Sequence, residues 1–127
     1  MKSTTVHTTS APAAIGPYSQ AVVHDGVVYC SGQIPLDPAT MQMVGANAAE
    51  QAEQVMKNLG AVLAAAGSGF DRVIRSTIYL TSMSDFVAVN EVYGRNFPTH
   101  KPARATVAVK ELPRGALVEI DCIAAVS

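Results

Sequence analysis

Apolar positions recur with two different periods along this chain, and the switches between them mark out eight elements. Ser3 to Thr8 alternates weakly and is rich in Thr and Val, which predicts a short first strand. Pro12, Gly16 and Pro17 then break regular structure and lead to Tyr18. Gln20 to His24 and Val27 to Ser31 are β-branched runs joined at Asp25-Gly26, a dipeptide that tolerates φ > 0, so an antiparallel pair with a tight turn is expected. Gly32 to Val44, with Pro35 and Pro38, reads as a surface loop. From Asn47 the period changes. Ala52, Val55, Met56, Leu59, Val62, Leu63 and Ala66 fall on one helical face, with Asn47 as cap, Glu50 three residues later as its partner and Gly67 as the stop. Val73 to Leu80 is the strongest strand pattern. A second helix opens at Ser84 and Asp85, carries Phe86, Val89, Val92 and Tyr93, and is ended by Pro98.

The stretch from Lys101 to Glu119 reads as a β-hairpin turning at Leu112-Pro113-Arg114-Gly115 and continuing through Cys122. Alternation places Val107, Val109, Val118, Ile120 and Cys122 on one face, leaving Arg104, Thr106, Glu119 and Asp121 on the other. The order β-β-β-α-β-α-β-β over residues 1–127 predicts one α+β domain, a six-stranded mixed sheet with both helices on one face. The other face, polar and apolar in turn, is one a second molecule would cover.

Composition and the remaining patterns add four limits. Apolar residues make up 49% and charged ones only 15%, which is little charge for the surface of a small monomer and agrees with a covered face. A net charge of −1 and the absence of Trp remove the basic footprint and the stacking aromatics that a nucleic-acid partner would use. No signal-peptide or membrane-span pattern occurs, so a soluble, cytoplasmic protein without a membrane partner is expected. Cys30 and Cys122, far apart and each in an apolar strand pattern, suit buried reduced thiols.

Candidate chemistry is concentrated in few residues. His7, His24 and His100 have no ligand-like spacing, so no metal is expected. No Gly-x-Ser-x-Gly elbow surrounds Ser31, Ser76 or Ser82, and Lys57, Lys101 and Lys110 sit in contexts typical of solvated lysines. Arg104 differs, because a guanidinium inside a strand offers a planar fork for a carboxylate. Glu119 could orient or deprotonate a water, or simply pair with Arg104. In the hairpin register Lys110 lies near Leu117, Arg104 opposite about Ile123 and Thr106 opposite Asp121. Arg104 and Glu119 would then be roughly 13 Å apart. Either a ligand and water lie between them, or a neighbouring subunit supplies one of them.

Pro102-Ala103-Arg104-Ala105-Thr106-Val107, Leu112-Pro113 and Val118-Glu119-Ile120 resemble the C-terminal signature of the YjgF/RidA family of imine deaminases. Ile15-Gly16-Pro17-Tyr18-Ser19-Gln20-Ala21, Ser31-Gly32-Gln33-Ile34-Pro35, Asp85-Phe86 and Val89-Asn90-Glu91-Val92-Tyr93-Gly94 match the same family in order. The resemblance implies a chorismate-mutase-like fold, a homotrimer with ligand sites between subunits, and hydrolysis of enamine and imine intermediates such as 2-aminoacrylate and related 2-iminoacids to 2-oxoacids and ammonia. It implies no cofactor. By the same resemblance Arg104 anchors the substrate carboxylate and Glu119 holds the attacking water, while Tyr18, Ser31, Gly32, Asn90, Tyr93 and Thr106 bind substrate. Asp121, where many members have Glu, and Met41-Gln42, where a Thr-Gly turn is usual, depart from the family pattern. A trimer that only binds small carboxylates, or serves as a chaperone-like platform, is the alternative function.

Overall fold

A computed structural model of the chain describes residues 2–127. Its elements are β1 (Ser3–Val6), β2 (Ala21–His24), β3 (Val27–Gln33), α1 (Ala48–Ala65), β4 (Val73–Leu80), α2 (Phe86–Gly94), β5 (Ala103–Ala108) and β6 (Val118–Ala125). The strands form one six-stranded sheet in the order β1-β2-β3-β6-β4-β5. Asp25 (φ 53°) and Gly26 (φ 79°) make the expected tight turn between β2 and β3.

The helices start and stop where their chemistry dictates. Asn47 Oδ1 accepts from the Glu50 backbone N–H at 2.9 Å, satisfying an orphan donor of the first turn, while Glu50 Oε1 accepts from the Ala46 N–H just before the cap and fixes the entry of the chain into α1. At the other end Ser68 N–H donates to Leu63 O and Gly67 N–H to Ala64 O, a Schellman closure. Gly67 holds φ 80° there, which a residue with a Cβ adopts only at a cost. The apolar stripe of α1 is buried at Ala52, Val55, Met56, Leu59, Val62 and Leu63, against Ile78, Leu80, Val118, Ile120 and Cys122 of the sheet. Each fully buried Leu or Ile in that layer contributes about 1.5–3 kcal/mol.

The predicted hairpin does not form. β5 pairs in parallel with β4, Ser76 level with Arg104, and β6 pairs antiparallel with both β3 and β4. Pro113–Gly115 is a short 3-10 turn on the path that carries the chain past β4, and no residue of β5 faces one of β6 across a ladder. The cause is α2: a strand, a helix and a strand in succession close as a parallel unit on the same sheet, and that unit places β5 outside β4. The arrangement also reverses the expected facing of β5. Ser76 and Ile78 of β4 are buried beneath the helices and are level with Arg104 and Thr106, so those two side chains point to the helix side. Glu119 and Asp121, level with Tyr79 and Thr77, point to the open side. Val107 also faces the open side and is exposed there, together with Tyr29.

Both helices lie on one face, with Tyr93 of α2 donating from its hydroxyl to Ser76 Oγ beneath it. The buried Asn58 side chain of α1 donates to Leu36 O and Ile34 O, and Gln51 Oε1 accepts from the Leu117 N–H, which pins the loops leading into and out of the open face. Cys30 and Cys122 are cross-strand partners, buried and not disulfide-bonded. Their mutual hydrogen bond, with burial, pushes the Cys122 thiol far up and keeps it protonated. Among the described residues no helix is long and apolar enough to cross a membrane.

Candidate functional site

The residues singled out by sequence separate into two clefts. The first lies on the open face, lined by Ile15, Tyr18, Ser31, Gly32, Ile34, Pro113 and Glu119. Its geometry begins with Gln20, which is buried and whose amide donates to Pro12 O (2.8 Å) and Thr8 O (3.0 Å) while accepting from the Thr8 N–H. That staple orders the loop before β2 and leaves Tyr18 half-exposed over the cleft. Ser31 Oγ donates to Ser19 O at 2.6 Å, so its hydroxyl holds the loop to β3. The ladder between β3 and β6 slips between Cys30 and Gln33, and Gly32 sits in the slip. A Cβ on Gly32 would stand 2.0 Å from Glu119 Oε2 and 2.8 Å from Glu119 Cδ, so the missing side chain makes room for the carboxylate.

Glu119 is half-buried, and burial, followed by the charge of Asp121, raises its carboxyl above the ordinary value. Asp121 is raised by its own burial, an effect opposed by hydrogen bonding from Tyr79 and Thr77 and by the charge of Arg75. Tyr79 Oη donates to Asp121 Oδ2 at 3.1 Å. Neither carboxylate meets a cation: among the described residues the ion pairs join Arg95 to Glu53 and Glu91.

The second cleft opens at the β5 edge of the sheet and is lined by Asn90, Tyr93, Gly94, Phe97, Lys101, Pro102 and Arg104. Arg104 Nη1 donates to Asn90 Oδ1 at 2.6 Å, and the guanidinium carbon lies 5.0 Å from the Tyr93 ring centroid and 5.8 Å from that of Phe86. One nitrogen is thereby tethered and the plane supported from below, leaving the rest of the donor fork for a ligand. Asn90 and Tyr93, expected to bind substrate, line this cleft and also hold Arg104, the Tyr93 hydroxyl itself being buried on Ser76 Oγ. Thr106 shares the facing of Arg104 but lines neither cleft, and its Oγ1 is buried without a partner.

Arg104 and Glu119 are thus not brought together within one chain. Measured on β4, Arg104 is level with Ser76 and Glu119 with Tyr79, three residues along and two strand spacings across. Their Cα atoms are about 14 Å apart, and the side chains leave opposite faces of the sheet. Tyr79 and Gln20 were not anticipated. The signal for Tyr79 is its strand parity, which aligns it with Thr77 on the face where β6 puts its two acids.

Comparison with known proteins agrees with this architecture. The family model described as Endoribonuclease L-PSP matches residues 8–126. Protein DfrA of Myxococcus xanthus is 60% identical over 121 residues, 94% of this chain and 92% of that protein. The 2-iminobutanoate/2-iminopropanoate deaminase of Mus musculus is 51% identical over 119 residues, 94% of this chain and 88% of that protein. The crystal structure of RidA from the Antarctic bacterium Psychrobacter sp. superposes with a TM-score of 0.93 at 44% identity, covering 97% of this chain and 99% of that one.

Proposed function

We propose that this chain, which belongs to the endoribonuclease L-PSP (YjgF/RidA) family, hydrolyses 2-iminoacids and their enamine tautomers to 2-oxoacids and ammonia, in sites shared between copies of itself. The observation that carries this reading is that Arg104 and Glu119 each stand in an open cleft, on opposite faces of one chain, with no ion pair to either among the described residues. Two copies set edge to face would complete each other's cleft, and a homotrimer closes that contact into a ring. The mammalian relative named 2-iminobutanoate/2-iminopropanoate deaminase supports the substrate class.

Each side chain then has a defined task. The free nitrogens of Arg104 grip the substrate carboxylate and so fix the imine carbon relative to Glu119 of the neighbouring copy. Glu119 accepts a proton from the bound water as its oxygen attacks that carbon, which is already electrophilic as an iminium. The tetrahedral adduct collapses when its nitrogen takes that proton from Glu119 and departs as ammonia while its hydroxyl loses its own proton, so the carbonyl of the 2-oxoacid forms and the proton that made the iminium leaves with ammonia as ammonium. Water and imine enter, oxoacid and ammonia leave, and no redox equivalent is consumed. RNA hydrolysis fits the surface poorly, since the net charge is −1 and the cleft presents the Glu119 carboxylate where a phosphate would approach.

The direct test generates 2-aminoacrylate in situ with a serine dehydratase and follows pyruvate and ammonia. Release faster than in buffer is expected. A rate equal to buffer would reject the activity, and tight binding of pyruvate without turnover would identify a carboxylate-binding protein instead.

Gly32→Ala offers a finer probe of the cleft. The added Cβ meets the mobile end of Glu119 and not backbone, so the fold should survive while the carboxylate moves aside. A kcat lower by about tenfold to a hundredfold with a near-unchanged Tm is expected, because displacements near 1 Å cost that much in positioned catalysis. Paired steady-state kinetics and thermal melts would check it.

A further inference from the structure

We propose that Asp121, anchored by the Tyr79 hydroxyl, is a positioning residue that acts on Glu119 as the second carboxylate of a proton-handling pair. The proposal rests on Glu119 serving as the base in imine hydrolysis and adds what sets its proton affinity. The two acids are two residues apart on β6 and so leave the same face of the strand. Tyr79 is the cross-strand partner of Glu119, yet its hydroxyl reaches diagonally to Asp121 Oδ2 at 3.1 Å, which ties that carboxylate down on the face Glu119 shares.

The groups facing the pair are few. β4 contributes Arg75, Thr77 and Tyr79; β3 contributes Tyr29 and Ser31; the loop before β2 contributes Tyr18; β5 adds only Ala105 and Val107. Arg75 is exposed and forms no ion pair with Asp121. Within one chain the charge of Arg75 only partly offsets that of Asp121, so the two acids are half-buried together with incomplete neutralisation, a condition under which like charges hold protons more tightly. The chemical need matches: Glu119 must take a proton from water and return one to a departing amine, and both steps run best from a carboxyl whose proton affinity lies nearer to working pH.

Tyr79 fits as a regulator of that charge. Its hydrogen bond favours the ionised form of Asp121, and an ionised Asp121 is what presses on Glu119. Removing either group should move Glu119 in the same direction, and removing Tyr79 should have no further effect once Asp121 is gone.

The test is the pH dependence of kcat for wild type, Asp121→Asn, Tyr79→Phe and the double variant, beside a carbon-13 NMR titration of the Glu119 carboxyl in each. In Asp121→Asn the acid limb should move to lower pH, so that the ratio of kcat at pH 5 to kcat at pH 8 rises about threefold or more. Tyr79→Phe should shift it the same way by less, the double variant should coincide with Asp121→Asn, and Asp121→Glu should restore the wild-type profile. Profiles that differ only by a constant factor, with an unmoved Glu119 titration, would mean that Asp121 is merely structural and would overturn the proposal. The titration needs no turnover. A protein inactive on imines but with Glu119 shifted by Asp121→Asn would refute the deaminase reading while sustaining the pair.

Discussion

Arg104→Ala is expected to lower kcat/KM for 2-aminoacrylate hydrolysis by about a hundredfold to a thousandfold. The guanidinium supplies charge-assisted hydrogen bonds worth about 1.5–3 kcal/mol each, and every 1.4 kcal/mol is a factor of about ten. Arg104→Lys should recover little of it, because an ammonium lacks the planar fork and would lose its seat on the Tyr93 ring. Stability should scarcely change, since the tether to Asn90 and the contacts to the Tyr93 and Phe86 rings lie at the rim of an open cleft. Kinetics against a dehydratase-generated substrate, with a thermal melt beside them, would separate these effects. An Arg104→Ala protein as fast as wild type removes the carboxylate anchor and with it the proposed mechanism.

Glu119→Gln is expected to reduce kcat by about 10²- to 10⁴-fold, the usual range for loss of a positioned general base, while affinity for 2-oxoacid product changes little. Gln keeps the shape that fits over Gly32 but cannot hold the proton. The sign of the stability effect is fixed as well. Burial and Asp121 raise the Glu119 carboxyl, so the folded chain binds more protons than the unfolded one just above the ordinary carboxylate range, and stability falls as pH rises through that window. Glu119→Gln removes this loss, so its Tm should equal or exceed that of wild type at pH 8, with the difference fading as pH drops through the window. The two inactive variants also test the shared site when mixed. An Arg104→Ala copy still carries Glu119, and a Glu119→Gln copy still carries Arg104. If the proposed homotrimer with shared sites is right, randomly mixed assemblies should regain activity at about one site in four, whereas a site contained within one chain would regain none.

Local signals in the sequence were clear wherever neighbours in sequence are neighbours in space. Asn47, Glu50 and Gly67 marked α1, and Asp25-Gly26 marked the β2–β3 turn, because caps and tight turns are decided within a few residues. The side occupied by β5 was not legible from its own alternation. Val107 and Val109 fit either face, and parity is fixed only by the strand alongside. The clue lay in the order of β4, α2 and β5, which closes as a parallel unit and so sends Arg104 toward the helices. Half of the candidate site follows the same division. Tyr18, Ser31, Gly32 and Glu119 line one cleft, whereas Asn90 and Tyr93 line the other and also hold Arg104, a contact that requires α2 to lie over β5. Strand parity gives the face of Tyr79 but not its partner Asp121, 42 residues away, and the loop carbonyls that Gln20 holds lie beyond any turn or helix spacing.

The position of β6 has a consequence for how the molecule assembles in time. It follows every other element in the chain, yet it lies between β3 and β4, so the β1–β3 meander and the β4–α2–β5 unit have no ladder joining them until it arrives. Most of its partners are far away in sequence, with Val27 paired to Ala125 and Val73 to Ala124. Closing such loops is an entropic cost met before any contact rewards it, which slows the step relative to forming α1 or the β2–β3 turn. Folding should therefore show two early, separately protected regions in pulsed hydrogen exchange, joined in one late event. Glu119 rides on the joining strand, so the clefts would take shape only in that event.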